Sequence, residues 1–230
     1  MKRSKVLFIL IVSTIGCNSY KPSDKPVLAN EEKRICDSLK IDTTLFKMVK
    51  KHIIGAVEPF HYSLGKLFEN GMEKEIDPIH ANGIVFKATA KNTELILADY
   101  HEVFKDKGYS LFILEQNFAI KNEPDVMAIL NTTDKYEILK QIKTDGINYD
   151  IDNDSLIKLV RLFDDKYSLD LIGAGGDWCQ FTINKKPDDW MKFAKEAYAI
   201  CPDIVDQGTG TVEALADEMK RTNRLYFWWD

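Results

Sequence analysis

The chain has no basic excess. Its 31 lysines and arginines stand against 36 aspartates and glutamates, a net charge of −5. Nucleic-acid-binding surfaces are normally strongly basic, so no nucleic-acid partner is expected. No apolar run approaches the roughly 20 residues that a membrane-spanning helix needs. The four histidines (His52, His61, His80, His101) fall singly, with no HExxH pair. The four cysteines include no CxxC. Neither residue type therefore gives a metal-ligating motif, and no cofactor is indicated. The phosphate loop GxxxxGK[ST] is missing, which argues against nucleotide, and so is the hydrolase elbow GxSxG. Nothing in the sequence compels an enzyme.

What remains is ordinary globular material: 230 residues, 45% hydrophobic and 29% charged. That is enough for one sizeable core or two small ones. The first seventeen residues stand apart. Lys2, Arg3 and Lys5 precede an apolar run over residues 6–15, which as a helix would be only about 15 Å long. It suits a signal peptide and not a membrane span. The run ends in Thr14-Ile15-Gly16-Cys17, which resembles the lipobox of bacterial lipoproteins, with Thr14 where leucine is usual. The resemblance implies a signal peptide over 1–16 and a Cys17 that is lipidated and becomes the new N-terminus. It implies a membrane anchor through Cys17 in the cell envelope, the outer membrane being favoured because no Asp follows the cysteine. Residues 17–32 then read as a tether rich in Pro, Ser, Lys and Asp.

Hydrophobic spacing organises the rest. Residues 31–52 read as helix, and residues 55–78, broken by Gly and Pro, as loop with short elements. Strands are expected at 84–88, 109–115, 125–130, 169–172 and 178–183, and helices at 93–107, 135–143, 154–166, 188–200 and 212–221. Residues 225–229 (LYFWW) read as a strand with apolar side chains on both faces, as in a central strand. The expected fold is α+β: an antiparallel or mixed sheet with helices packed on one face, with two related α/β-sandwich halves as the alternative arrangement.

Four blocks carry a further resemblance: the T-x-G-x-N-Y of Thr144 to Tyr149, the G-A-G-x-D of Gly173 to Asp177, the stretch from Cys201 to Gly210, and the ending RLYFWWD. Together they resemble the bacterial family called domain of unknown function 4253. The resemblance implies a domain over about 90–230, preceded by a helical and mixed region over 33–89. It implies a fold but no activity.

The candidate site residues lie in these blocks: Asp177, Asp203, Asp206, Gly208, Thr209 and Gly210. As architecture, Pro202 stops a helix, the glycines allow a turn, Thr209 or Thr211 caps the next helix, and the aspartates cap amides or pair with Arg221 or Arg224. As a site, the amides of 208–211 would bind an anion. Alternatively Asp177, Asp203 and Asp206, near Asp230, would hold a divalent cation or act as an acid/base pair. Residues 150–154 (DIDND) do not make a calcium loop, because Ser155 and Arg161 stand where Gly and Glu are required. Asn153 or Asp154 is expected to cap the following helix. Cys36, Cys179 and Cys201 read as buried thiols, with Cys179–Cys201 the pair to consider for a disulfide. The leading expectation is a membrane-tethered, non-catalytic module binding a ligand or an envelope protein. The alternatives are an acidic-residue enzyme, with or without a divalent cation, and an immunity-like protein.

Overall fold

A computed structural model describes residues 26–63, 65–69, 72–76, 78–117 and 122–230. The expected signal peptide over 1–16, Cys17 and most of the expected tether over 17–32 lie outside the described residues. In chain order the elements are α1 (Asn30–Ser38), α2 (Thr43–Lys50), β1 (Ile54–Tyr62), β2 (Gly65–Glu69), β3 (Met72–Ile76), β4 (Ile79–Ala88), α3 (Ala90–Lys105), β5 (Ser110–Glu115) and β6 (Asp125–Leu130). They continue with α4 (Lys135–Ile142), α5 (Asn153–Tyr167), β7 (Leu169–Ala174), β8 (Trp178–Ile183), α6 (Trp190–Ile200), α7 (Val212–Thr222) and β9 (Arg224–Trp228). The fold is α+β, as expected. Seven strands form one mixed sheet in the order β1-β4-β6-β5-β7-β8-β9, and β2-β3 form a separate hairpin. All neighbours in the sheet are antiparallel except β5 and β7.

The helices cover both faces of the sheet instead of one. Strand side chains alternate between two cores, as the two-residue period requires. Leu111, Ile113, Met127 and Ile129 pack with α1, α2 and α3, while Phe112, Leu114, Ala128 and Leu130 pack with α4 to α7. The continuous apolar runs of β5 and β6 are the signature of strands buried on both sides.

Local chemistry sets most helix ends. The Asp42, Thr89, Asp134, Asp189 and Thr211 side chains accept hydrogen bonds from the first-turn amides of α2, α3, α4, α6 and α7. Asp152, and not Asn153 or Asp154, caps α5 by accepting from the Ser155 amide. Asn153 instead donates to the Leu139 and Thr144 carbonyls, tying α5 to the end of α4.

Three further expectations change. The single helix over 31–52 is two, α1 and α2, separated by Lys40 at a positive φ of 56°. The loop over 55–78 contains β1, a nine-residue strand whose register shifts twice against β4 and which carries Pro59. Pro59 and the shifts hide the alternation, and β1 accommodates both because it is an edge strand. Strand β9 is the other edge, not a central strand. Its two apolar faces are explained by the two cores: Leu225 and Phe227 enter one, while Trp228 packs on the other.

Candidate functional site

The four motif blocks, scattered over 87 positions from Thr144 to Asp230, meet at one end of the sheet. The hairpin between β7 and β8 is the hub. The buried Thr144 hydroxyl donates to the Gly175 carbonyl at 2.7 Å, and the Asp145 amide donates to the Gly176 carbonyl at 2.8 Å. The Trp229 amide donates to the Asp177 carbonyl at 3.0 Å. From the far edge strand, the Tyr62 hydroxyl accepts from the Gly176 amide at 2.6 Å.

The glycines of these blocks are required by close packing. A Cβ on Gly146 would stand 2.9 Å from the Trp229 ring. A Cβ on Gly173 would stand 2.6 Å from the Trp178 ring, and one on Gly175 only 2.1 Å from its Nε1. The G-A-G segment is therefore the bed of an indole. The register of β7 against β8 shifts just before it, between Leu171 and Gly173.

Asp203 sits beneath this arrangement, 3% exposed. It accepts from the Tyr149 hydroxyl at 2.6 Å, from the Gln207 side-chain amide at 3.0 Å and from the Asp230 backbone amide at 2.9 Å. Burial pushes its carboxyl up, but these donors outweigh burial and hold it below the ordinary carboxylate value. The same bond pushes the Tyr149 phenol up to about 12. Asp203 thus fastens three motif blocks to one another. Neither Asp203 nor Asp206 pairs with Arg224, whose guanidinium grips Glu94 of α3 at 3.0 and 2.6 Å.

The other candidates behave differently. Residues Ile204–Thr209 form a π-helical turn ended by Gly210, whose φ of 80° requires glycine. The Gly210 amide donates to the Val205 carbonyl at 2.8 Å, and the Thr209 hydroxyl donates to backbone carbonyls. Of the amides that an anion would use, Gly210 is therefore already engaged. A Cβ on Gly208 would meet only the Asp203 carbonyl oxygen, at 3.6 Å, so that position tolerates alanine sterically. Asp206 is exposed and accepts from the Tyr198 hydroxyl at 3.0 Å.

Asp177 is exposed at the hairpin mouth. Partial burial raises its carboxyl pKa first, and the nearby charges of Asp230 and Asp145 add to that. The bonds from the Asp145 amide to Gly176 and from the Trp229 amide to Asp177 hold Asp145, Asp177 and Asp230 at the same end of the sheet, with Asp203 bonded to the Asp230 backbone amide. Ile147, 63% exposed, and Tyr149, 38% exposed, border the same end on the turn Ile147–Tyr149. Asp145, Ile147 and Tyr149 are site residues that sequence reasoning passes over, although all three belong to the T-x-G-x-N-Y block.

Cys36, Cys179 and Cys201 are buried free thiols, and Cys179 and Cys201 are not joined. The Cys201 thiol donates to the Trp228 carbonyl at 2.9 Å, and burial pushes its pKa up to about 12. A thiol held neutral in this way is a packing group and a poor nucleophile.

Residues 126–230 match the family described as Domain of unknown function (DUF4253), a span that contains all four blocks. No curated protein and no solved structure matches the chain. The matched span begins in β6 and omits β5, the strand that lies between β6 and β7 in the sheet. Residues 126–230 expressed alone are accordingly expected to show no cooperative thermal transition, whereas the full chain does. A sharp unfolding curve for that fragment would mean that β6 can close directly on β7.

Proposed function

We propose that the chain is a lipid-anchored, non-catalytic binding module, and that the end where the motif blocks meet contacts a basic segment of another envelope protein. The observation that carries the reading is the gathering of Asp145, Asp177 and Asp230 beside exposed Ile147 and Tyr149. Carboxylates held together repel one another: burial is the first cause of the raised Asp177 pKa, and the charges of Asp230 and Asp145 add to it. A lysine or arginine brought between them relieves it, while the aliphatic and phenolic side chains supply apolar contact of the kind found at interface centres. The anchor rests on Lys2, Arg3, Lys5, the apolar run and the Gly16-Cys17 step.

The test is calorimetric titration of the full chain in detergent with a lysine- and arginine-rich peptide and with an acidic peptide of equal length. The basic peptide is expected to bind, more weakly as salt rises, with about tenfold loss in the variant carrying both Asp145→Asn and Asp177→Asn. Equal binding of the acidic peptide, or an undiminished double variant, overturns the reading. In thermal unfolding without peptide, Asp177→Asn is expected not to lower Tm, because it removes a repelled charge and keeps the backbone carbonyl that Trp229 uses. The anchor is checked by palmitate labelling in cells, which Cys17→Ala is expected to abolish.

A further inference from the structure

A second cluster lies where α3 crosses β5 and β7, and it is independent of the peptide-binding proposal. His101, Glu102 and Asp170 each place one ligand atom within 4.8 Å of the others. The His101 ring is held by a 2.9 Å hydrogen bond from Nδ1 to the Leu111 carbonyl. A carbonyl only accepts, so Nδ1 carries the proton and Nε2 of the neutral ring presents its lone pair. That Nε2 is sealed from solvent and has no hydrogen-bond partner, in a side chain 12% exposed. A buried acceptor without a donor is costly, and here it faces Glu102 Oε1 at 3.9 Å.

The geometry points to a divalent transition-metal site, of the zinc class, formed by His101 Nε2 and the carboxylates of Asp170 and Glu102. An imidazole fixed through its other nitrogen by a backbone carbonyl is the usual arrangement of a metal-ligating histidine. Ligand atoms about 2.1 Å from a tetrahedral ion stand about 3.4 Å apart, so the exposed Glu102 side chain moves about half an ångström toward His101, and the Asp170 carboxylate, within 4.8 Å of both, closes by up to about 1.4 Å. Lys105 now supplies the positive charge. Its Nζ is 2.6 Å from Asp170 Oδ2 and 3.8 Å from Glu102. Asn184 donates to the same Asp170 oxygen at 2.8 Å. The Lys105 side chain is 40% exposed and can swing into water when an ion enters. The site then exchanges an internal ammonium for an external cation, and the orphaned Nε2 gains its partner.

The experiment uses the full chain in detergent, titrated with ZnCl₂ and followed by calorimetry, thermal unfolding and zinc-edge X-ray absorption. At a hundredfold excess over Kd, Zn²⁺ is expected to raise Tm by roughly 5–10 °C, reversibly with EDTA. The absorption spectrum should show one imidazole and oxygen ligands without sulfur. His101→Gln and Asp170→Asn should each lose at least tenfold in affinity, and Lys105→Met should bind about tenfold tighter because the competing charge is gone. The inference is overturned if sulfur is bound, if His101→Gln keeps wild-type affinity, or if Lys105→Met binds no tighter. The lysine variant keeps all three ligands, so its result does not depend on whether the histidine variant folds.

Discussion

Asp203→Ala is expected to lower unfolding free energy by about 3 kcal/mol and Tm by roughly 6–12 °C. The mechanism is specific. The buried carboxylate accepts from Tyr149, Gln207 and the Asp230 amide, and alanine leaves these donors without an acceptor inside a sealed junction. Asp203→Asn should cost about half as much, because one oxygen remains while the charge is lost and an amide NH₂ now confronts a donor. The pH dependence separates the carboxylate from simple packing. Its folded pKa lies below the ordinary value, so the native state holds its proton less tightly than the unfolded chain. The stabilisation is therefore complete above about pH 5 and is lost as pH falls through the folded pKa. Wild type and Asp203→Asn should converge in stability toward about pH 2, as read from urea unfolding at a series of pH values. A loss below about 1 kcal/mol for Asp203→Ala would mean that water replaces the carboxylate, and that the junction is looser than its geometry implies.

Gly175→Ala is expected to cost about 2–3 kcal/mol, the upper part of the overpacking range. The obstacle is not a mobile side-chain tip but the body of Trp178, itself 9% exposed and pinned between Gly173 and Tyr226, whose ring centroid lies 6.0 Å away. The indole cannot retreat, because the Gly173 backbone lies against its other end. A double-mutant cycle with Trp178→Phe tests this directly. The smaller ring leaves a gap at Gly175 that the alanine methyl fills, so the pair should be more stable than the sum of the single effects predicts, by about 1–2 kcal/mol. Additive costs in urea denaturation would show that the two residues do not share a contact.

These two positions show how differently the motif blocks could be read. Gly208 and Gly210 invite a phosphate-loop comparison, yet Gly210 is needed for a backbone dihedral and Gly208 has room for a methyl group. Gly173 and Gly175 enter the sequence reading only as part of the G-A-G-x-D block, yet both lie against the Trp178 indole. Glycine spacing carries no information about which distant aromatic lies on it. The acidic residues divide in the same way: Asp203 is spent inside the junction, while Asp177 is left exposed among like charges.

The sequence by itself determined what depends on near neighbours. Helix and strand positions from residue 84 onward follow from periods of 3.6 and 2, and the cap at Thr211 follows from a side chain that reaches an amide three residues ahead. The α+β class follows from the mixture of these elements. Tertiary structure decided everything that depends on strand order: the division of helices between two faces, the edge position of β9, the meeting of Asp145, Asp177 and Asp230, and the placing of His101 against Asp170. No short-range pattern could supply these. Each pairs residues dozens of positions apart, and the pairing is chosen by how the whole sheet buries its two faces.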